Sequence, residues 1–365
     1  MRIYVAFYVH INPPSSYNHI DAFEILMEHQ FIQIFRLSKD VCRYLIELVR
    51  PFMTPQRRAT DLSVTVRVLV ALRFFAAGSY QLDVGKNLFV AVSQPSVSRC
   101  IGEVSAALNQ QEIFNRWVHF PRNFQELDAV RLGFYETFNF PGVVGLIDCT
   151  HIAIFTPHIN DDEYPEHIYV NRKGYHSINV QLICDHRLMI MNVIARYPGS
   201  TNDAYIWANS NIQRVFRNIH ERGNTNYYLL GDSGYPLRTW LLTPLQHEPQ
   251  ENTPEYFYNR AHKRVRCGIE RCNGLLKMRF RCLLKERVLH YAPDVACGLP
   301  NNKCLYCIPE YDENANIDFG MIQGQLLGHD HQNNDEVLRR VNPELTAGRR
   351  LRNHLIQNVF RIRNQ

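Results

Sequence analysis

The 365-residue chain contains no apolar run approaching the 18 or so residues a membrane-spanning helix needs. It also has no internal repeat and no low-complexity tract, which argues against repeat arrays and fibrous architectures. An excess of charge of one sign is nearly lacking: 40 Lys and Arg face 35 Asp and Glu, for a formal net charge of +5. So small an excess does not identify a nucleic-acid binder, and local clustering must carry that argument. A disulfide framework is lacking as well. The ten cysteines, Cys42, Cys100, Cys149, Cys184, Cys267, Cys272, Cys282, Cys297, Cys304 and Cys307, scatter through apolar or helical stretches, as reduced intracellular thiols do. Residues 3–9 are apolar, but His10 and the Pro13-Pro14 pair end them and no small-residue cleavage site follows, which argues against a secretory signal. What is present is 45% hydrophobic and 21% charged composition, enough for one large globular domain or two ordinary ones.

Four regions separate by pattern. Residues 1–34 are the least informative. Over 35–120 the apolar spacing is helical, with Val41, Leu45, Leu48 and Val49 in one segment, Val64, Val68, Leu72 and Phe75 in the next, and Pro51 and Pro55 between. Within this all-helical region a helix over 81–89, a turn over 90–93 and a helix opening at Gln94-Pro95-Ser96 read as helix-turn-helix. Val97, Ile101, Val104 and Leu108 would be its buried face, leaving Gln94, Ser98 and Arg99 free to contact phosphates or base edges; any three-helix bundle gives the same pattern. Over 141–307 the texture becomes α/β. Strand-like runs at 143–147, 177–184, 188–195 and 227–230, with a helix over 203–216, predict a mixed sheet. A long basic helix follows from 258 to about 290. Residues 308–365 read as a polar tail ending in a basic helix near 348–363.

Two of the strand-like runs finish in an acid. Asp148 follows Val143–Ile147, and Asp232 follows Tyr227–Leu230 and precedes the turn Ser233-Gly234-Tyr235-Pro236. If the strands are neighbours, the two carboxylates lie side by side and offer the hard oxygen ligands Mg²⁺ prefers; turn or helix capping is the alternative for each. Glu270 is a third acid, alone on a helical face with Lys263, Arg266, Lys277 and Arg281, while Val265, Ile269, Cys272, Leu276 and Phe280 fall on another. Such a stripe is either a solvated face relieved by one Glu or a phosphate-binding groove into which a metal-ligating carboxylate points. Two strand-end aspartates and a helical glutamate, in the order Asp, Asp, Glu, are what two-metal phosphodiester cleavage on an RNase H-like nuclease requires.

Other motifs are less specific. Arg172 and Lys173, in Asn171-Arg172-Lys173-Gly174-Tyr175-His176, belong either to a DNA-contacting turn or to a plain hairpin. Asp203, after Pro198-Gly199-Ser200-Thr201-Asn202, is a helix-start acid or a supporting metal ligand. His151 lies near Asp148 but a lone histidine is usually structural. Gly231-Asp232-Ser233-Gly234 resembles the serine-protease nucleophile sequence, yet the all-β disulfide-bonded scaffold that chemistry uses is missing. Cys304-x-x-Cys307, with Cys297 or His290, lacks the second close pair a zinc site would show.

Taken together, Gly145-Leu146-Ile147-Asp148-Cys149-Thr150-His151, Asn171-Arg172-Lys173-Gly174-Tyr175-His176-Ser177, Pro198-Gly199-Ser200 with Asp203, Gly231-Asp232-Ser233, and Ile269-Glu270-Arg271 followed by Leu276-Lys277-x-Arg279-Phe280 resemble PIF/Harbinger transposases, especially the domesticated Harbinger transposase-derived nucleases. The resemblance runs from about residue 35 to 291, and 348–360 is similar to the family's ending. It implies an RNase H-like catalytic domain and a divalent cation, Mg²⁺ with Mn²⁺ as the substitute. Asp148, Asp232 and Glu270 would be the catalytic acids, with Asp203 a further metal ligand. It also implies an N-terminal helix-turn-helix region, DNA as partner, a separate Myb-like partner protein, self-association, and a nuclear location with a cytoplasmic fraction. One departure stands out. Relatives continue past the Glu helix into an apolar helix, whereas Ala296-Cys297-Gly298-Leu299-Pro300-Asn301-Asn302-Lys303-Cys304 is shortened and carries helix breakers. Endonuclease activity is therefore the main expectation and a catalytically silent DNA-binding adaptor the rival; a phosphoesterase for small substrates would instead show a closed pocket and no basic groove.

Overall fold

The computed structural model describes residues 21–58, 60–78, 80–87, 89–157, 165–289 and 342–361. The zinc reading at Cys304-x-x-Cys307 and the interrupted segment 296–304 lie outside the described residues. The chain forms two compact units, Met1–Ala107 with Phe280–Cys282, and Leu108–Arg279 with Leu283–Gln365.

The first unit is all-helical: α1 (Ala22–Ile25), α2 (Glu28–Phe35), α3 (Lys39–Val49), α4 (Val64–Ala77), α5 (Gln81–Gly85) and α6 (Gln94–Leu108). Residues 21–35, which carry little sequence pattern, thus form two helices, with Phe31 and Phe35 fully buried. Helix α4 is the centre of the unit. Ser63 caps it by accepting from Val66 N at 3.2 Å, Gly78 ends it in the left-handed region at φ 60°, and the apolar residues between are buried nearly all round. On α3 the expected stripe is rotated: Cys42, Ile46 and Val49 are buried while Val41 is exposed. Two apolar stripes compete on that helix, and packing against its neighbours chooses between them.

Arg67 of α4 reaches Glu103 of α6 at 2.6 Å and the Thr54 carbonyl at 2.7 Å, and Thr54 N donates to the same Glu103 oxygen at 2.7 Å. This largely buried clamp ties the two helices and the loop between α3 and α4 together. Helix α5 ends at Gly85, short of the expected 89, because the chain turns there: Val92 N donates to Gly85 O at 3.0 Å, and a Cβ on Gly85 would stand 2.3 Å from the Val92 carbonyl. Only glycine allows that closure. Helix α6 buries Val97, Ile101 and Val104 and exposes Gln94, Ser98 and Arg99.

The second unit is a mixed α/β fold of RNase H type. Its elements are α7 (Gln111–Trp117), α8 (Phe124–Phe138), β1 (Val143–Ala153), α9 (Glu166–Tyr169), β2 (Ser177–Cys184), β3 (Ile190–Pro198), α10 (Asp203–Ala208), α11 (Asn211–Glu221), β4 (Tyr228–Leu230), β5 (Leu241–Leu242), α12 (Pro254–Arg279) and α13 (Pro343–Leu355). The five strands run in the order β3-β2-β1-β4-β5. β3, β2 and β1 are antiparallel, and β1, β4 and β5 parallel. On one face Trp207, Ile212, Phe216 and Ile219 from α10 and α11 pack on Ile147, Ile183 and Leu229. On the other lies α12, brought close by Gly268, whose added Cβ would meet the Leu146 side chain at 2.6 Å.

The differences from expectation have local causes. The helix expected over 203–216 is two, because Ser210 caps α11 by accepting from Ile212 N at 3.2 Å. β3 starts at Ile190, since Leu188 is in the left-handed region at φ 66° within a turn held by the Asp185 carboxylate. The basic helix ends at Arg279, so Arg281 is off it, in a 3₁₀ turn of the first unit. The expected tail helix is an integral part of the second unit: Asn342 and Pro343 start it early, and beyond its end Phe360 packs edge-on against Phe140 and Tyr258. None of the described helices is long and apolar enough to cross a membrane.

Candidate active site

β1 does not end at Asp148. It continues to Ala153 because β2 pairs with it throughout, Asp148 opposite Leu182 and His151 opposite Asn179. On its other edge, however, β4 stops at Leu230, paired in parallel with Leu146. Asp148 and Asp232 each stand two residues beyond that pair. Side chains in a strand alternate faces, so Asp148 projects on the face of Leu146, toward α12, and Asp232, just past the end of β4, lies near enough for its charge to act on Asp148. Asp232 turns the chain away by accepting from Gly234 N at 2.9 Å.

Helix α12 supplies the rest. Its buried stripe includes Val265, Gly268, Ile269 and Cys272, seating it on the sheet. Arg266, Glu270, Asn273 and Lys277 recur at helical spacing on one strip. Asn273 Nδ2 donates to Asp148 Oδ2 at 3.4 Å, and Arg266 forms an ion pair with Glu270. Lys277 Nζ donates to the His151 carbonyl at 2.9 Å. Burial pushes the Asp148 carboxyl up to about 6, against the pull of Arg266 and with added repulsion from Asp232 and, more weakly, Asp203. Burial, reinforced by the cationic Lys173, lowers Lys277.

Asp203 occupies the opposite face. It is the first helical residue of α10, but Asn202 is the cap, accepting from Tyr205 N at 2.7 Å. The Asp203 carboxylate instead accepts from Asn179 Nδ2 at 3.0 Å and engages the Cys149 thiol, which also contacts the Tyr235 hydroxyl at 3.3 Å. Asn179 and Cys149 share the α11 side of the sheet with Ile147. The structure therefore places Asp148 on the face that α12 covers with Asp232 beside it, leaves Glu270 exposed on α12, and puts Asp203 behind the sheet. Among the described residues, no three His, Cys, Asp or Glu side chains are placed to hold one ion.

The remaining predicted contacts fall in three places. Arg172 and Lys173 are exposed at the tip of a turn that Asn171 holds: its Oδ1 accepts from Lys173 N at 2.8 Å, and its Nδ2 donates to Ser177 Oγ at 2.8 Å. Ser177 in turn contacts His151 Nδ1 at 3.0 Å, so His151 is a structural link between turn and strand. Lys263 is exposed on α12, whereas Lys277 is partly buried with its ammonium anchored to β1. Gln94, Ser98, Arg99 and Arg281 are exposed on the first unit. Sequence reasoning missed Asn273, three residues past Glu270 on the same helical strip, because only charged residues were counted there. It also missed Asn179, which no motif distinguishes, and the part played by Cys149, which lies within the Asp148 motif.

Residues 147–299 match the family described as DDE superfamily endonuclease. A Bos taurus protein named "Putative nuclease HARBI1" is 35% identical over 280 residues, 75% of this chain and 76% of its own length. The Homo sapiens protein of that name matches at the same identity and coverage. An Arabidopsis thaliana protein named "Antagonist of like heterochromatin protein 1" is 25% identical over 278 residues, 71% of this chain and 67% of its own length. No solved structure matches the chain. With the acid-bearing face of its α/β unit inside the matched region, and more than a third of aligned positions identical across three quarters of its length, the chain belongs to the Harbinger transposase-derived nuclease family of the DDE superfamily endonucleases.

Proposed function

We propose that the protein is a divalent-metal-dependent endonuclease that hydrolyses DNA phosphodiester bonds, with Asp148, Asp232 and Glu270 as its acids. The observation that carries this reading is the shared register of β1 and β4, which sets Asp148 and Asp232 two residues past one parallel pair, Asp148 on the face α12 covers. Burial first, with lesser contributions from Asp232 and Asp203, raises the Asp148 carboxyl to about 6, a desolvated acid that a bound cation would stabilise in its ionised form. The donors are hard oxygens, which suits Mg²⁺ or Mn²⁺. Asp148 and Asp232 would hold the ion from the sheet and Glu270 from the helix, once it leaves Arg266. When bound, such ions lower the pKa of the attacking water and stabilise the departing oxygen.

The protein's own side chains do the remaining work. Asn273 orients Asp148 through its amide. Arg172, Lys173 and Lys263, exposed on the turn and on α12, pair with the DNA backbone. Asp203 acts from behind the sheet, where Asn179 and Cys149 hold it beneath Asp148. With DNA as substrate, the working location is the nucleus.

The test is cutting of supercoiled DNA with Mg²⁺ or Mn²⁺ by the wild-type chain beside Asp232→Ala. Relaxation or linearisation by the former alone is the expected result, and equal cutting by both sinks the assignment. The adaptor reading has two observations on its side: Glu270 is engaged by Arg266, and among the described residues no three acids converge. It predicts that neither protein cuts although both bind DNA.

A further inference from the structure

We propose that Arg266 is a built-in counter-ion, paired with the acids when metal is absent and transferred to a DNA phosphate when metal enters, so that metal and DNA bind cooperatively through one side chain. The proposal rests on the metal-dependent reading above and deepens it. Arg266, Glu270 and Asn273 follow one another at i, i+4 and i+7 on α12, and Asn273 reaches Asp148 at 3.4 Å, so the strip faces the β1 acid. On that strip the Arg266 guanidinium is the hydrogen-bond donor to Glu270. Its field also acts on Asp148, so one cation serves two of the three acids.

A guanidinium and a divalent ion compete for those carboxylates. The like charges repel at close range, and a cation drawn to Glu270 would weaken the hold of its carboxylate on Arg266. Arg266 has a route out: its side chain is 22% exposed and that of Glu270 50%, so the pair sits at the mouth of the site. The other charged groups of the strip, Lys263 one turn before it and Lys277 three turns beyond, are cations, and His262 beneath is held neutral by burial, its pKa pushed down to about 4. A displaced guanidinium finds no second carboxylate on the strip. A phosphodiester, whose two free oxygens match the fork of an arginine, is the anion the substrate brings to that place. By linkage, DNA that captures Arg266 tightens metal binding by the same factor as metal tightens DNA binding.

The experiment is calorimetric titration of Mn²⁺ into the EDTA-stripped full chain, with and without a short DNA duplex, for wild type, Arg266→Ala and Arg266→Lys, each checked for folding by thermal unfolding. Without duplex, Arg266→Ala is expected to bind Mn²⁺ about tenfold tighter than wild type, and Arg266→Lys to fall between. With duplex the wild type gains affinity, and in Arg266→Ala that gain shrinks by about tenfold. Wild-type affinity and undiminished coupling in a folded Arg266→Ala overturn the proposal; if alanine fails to fold, the lysine variant decides by the same criterion. Asp148→Ala separates the layers. If it abolishes Mn²⁺ binding while Arg266→Ala changes nothing, this inference falls and the endonuclease reading stands. If no form binds Mn²⁺, both fall.

Discussion

Replacing Asp148 by Asn should make the metal-free protein more stable at neutral pH, although it removes a proposed catalytic acid. The ordinary value for this carboxyl is 3.8, and burial first, then Asp232 and Asp203, raise it to about 6 against the opposing pull of Arg266. The folded state therefore holds its proton to higher pH than the unfolded chain does. Between about pH 4 and 6 the folded form binds more protons, so stability falls as pH rises through that window; above it the full cost is present and below it none. A gap of roughly 2 pH units at about 1.4 kcal/mol each gives about 3 kcal/mol. Asn fills the same volume, carries no charge and still accepts from Asn273. Urea unfolding in EDTA should show Asp148→Asn about 2–3 kcal/mol more stable than wild type at pH 7.5, the advantage vanishing by pH 4. Saturating Mg²⁺ should close most of the gap by stabilising only the wild type, by about 2.7 kcal/mol at a hundred times Kd. A variant no more stable at pH 7.5, or a difference independent of pH, refutes the account of a carboxyl raised mainly by burial.

Three further outcomes follow from the geometry. Gly199→Ala would put a Cβ 2.5 Å from the Tyr169 carbonyl and 2.3 Å from Ser177 Oγ, so thermal unfolding should show a loss of about 1–3 kcal/mol. DNA cutting should fall with it, because Ser177 also holds His151 and the Asn171 turn. Lys173→Ala should lower the salt dependence of DNA binding by about one phosphate contact, whereas Lys277→Met, whose ammonium is tied to the His151 carbonyl, should leave that slope unchanged; equal slopes would show that Lys173 is not a backbone contact. Arg67→Ala, leaving Glu103 without its cation and the Thr54 carbonyl without its donor in a site where the side chains are 11% and 23% exposed, should destabilise by about 3–5 kcal/mol. The double change Arg67→Met with Glu103→Leu should recover most of that loss in chemical unfolding.

The sequence by itself determined what depends on neighbours along the chain. The apolar β-rich runs mark where β1, β2 and β4 lie, Ser63 and Gly78 bound α4, and the spacing of Val265, Ile269 and Cys272 chooses the buried side of α12. The motifs around Asp148, Asp232 and Glu270 were sufficient to identify the family. Tertiary structure decided what depends on pairing between distant residues. Only the parallel register of β1 with β4 brings Asp148 and Asp232 together, and only the alternation of faces across β2 sends Asp203 to the far side with Asn179 and Cys149. The short β5, two residues long, has no local signal of its own and exists because β4 offers it an edge. The rotation of α3 and the anchoring of Lys277 are of the same kind. Propensity and periodicity are set by residues within a turn or two, whereas the face a carboxylate occupies, and the cation that meets it there, are set by which strands and helices are packed against its own.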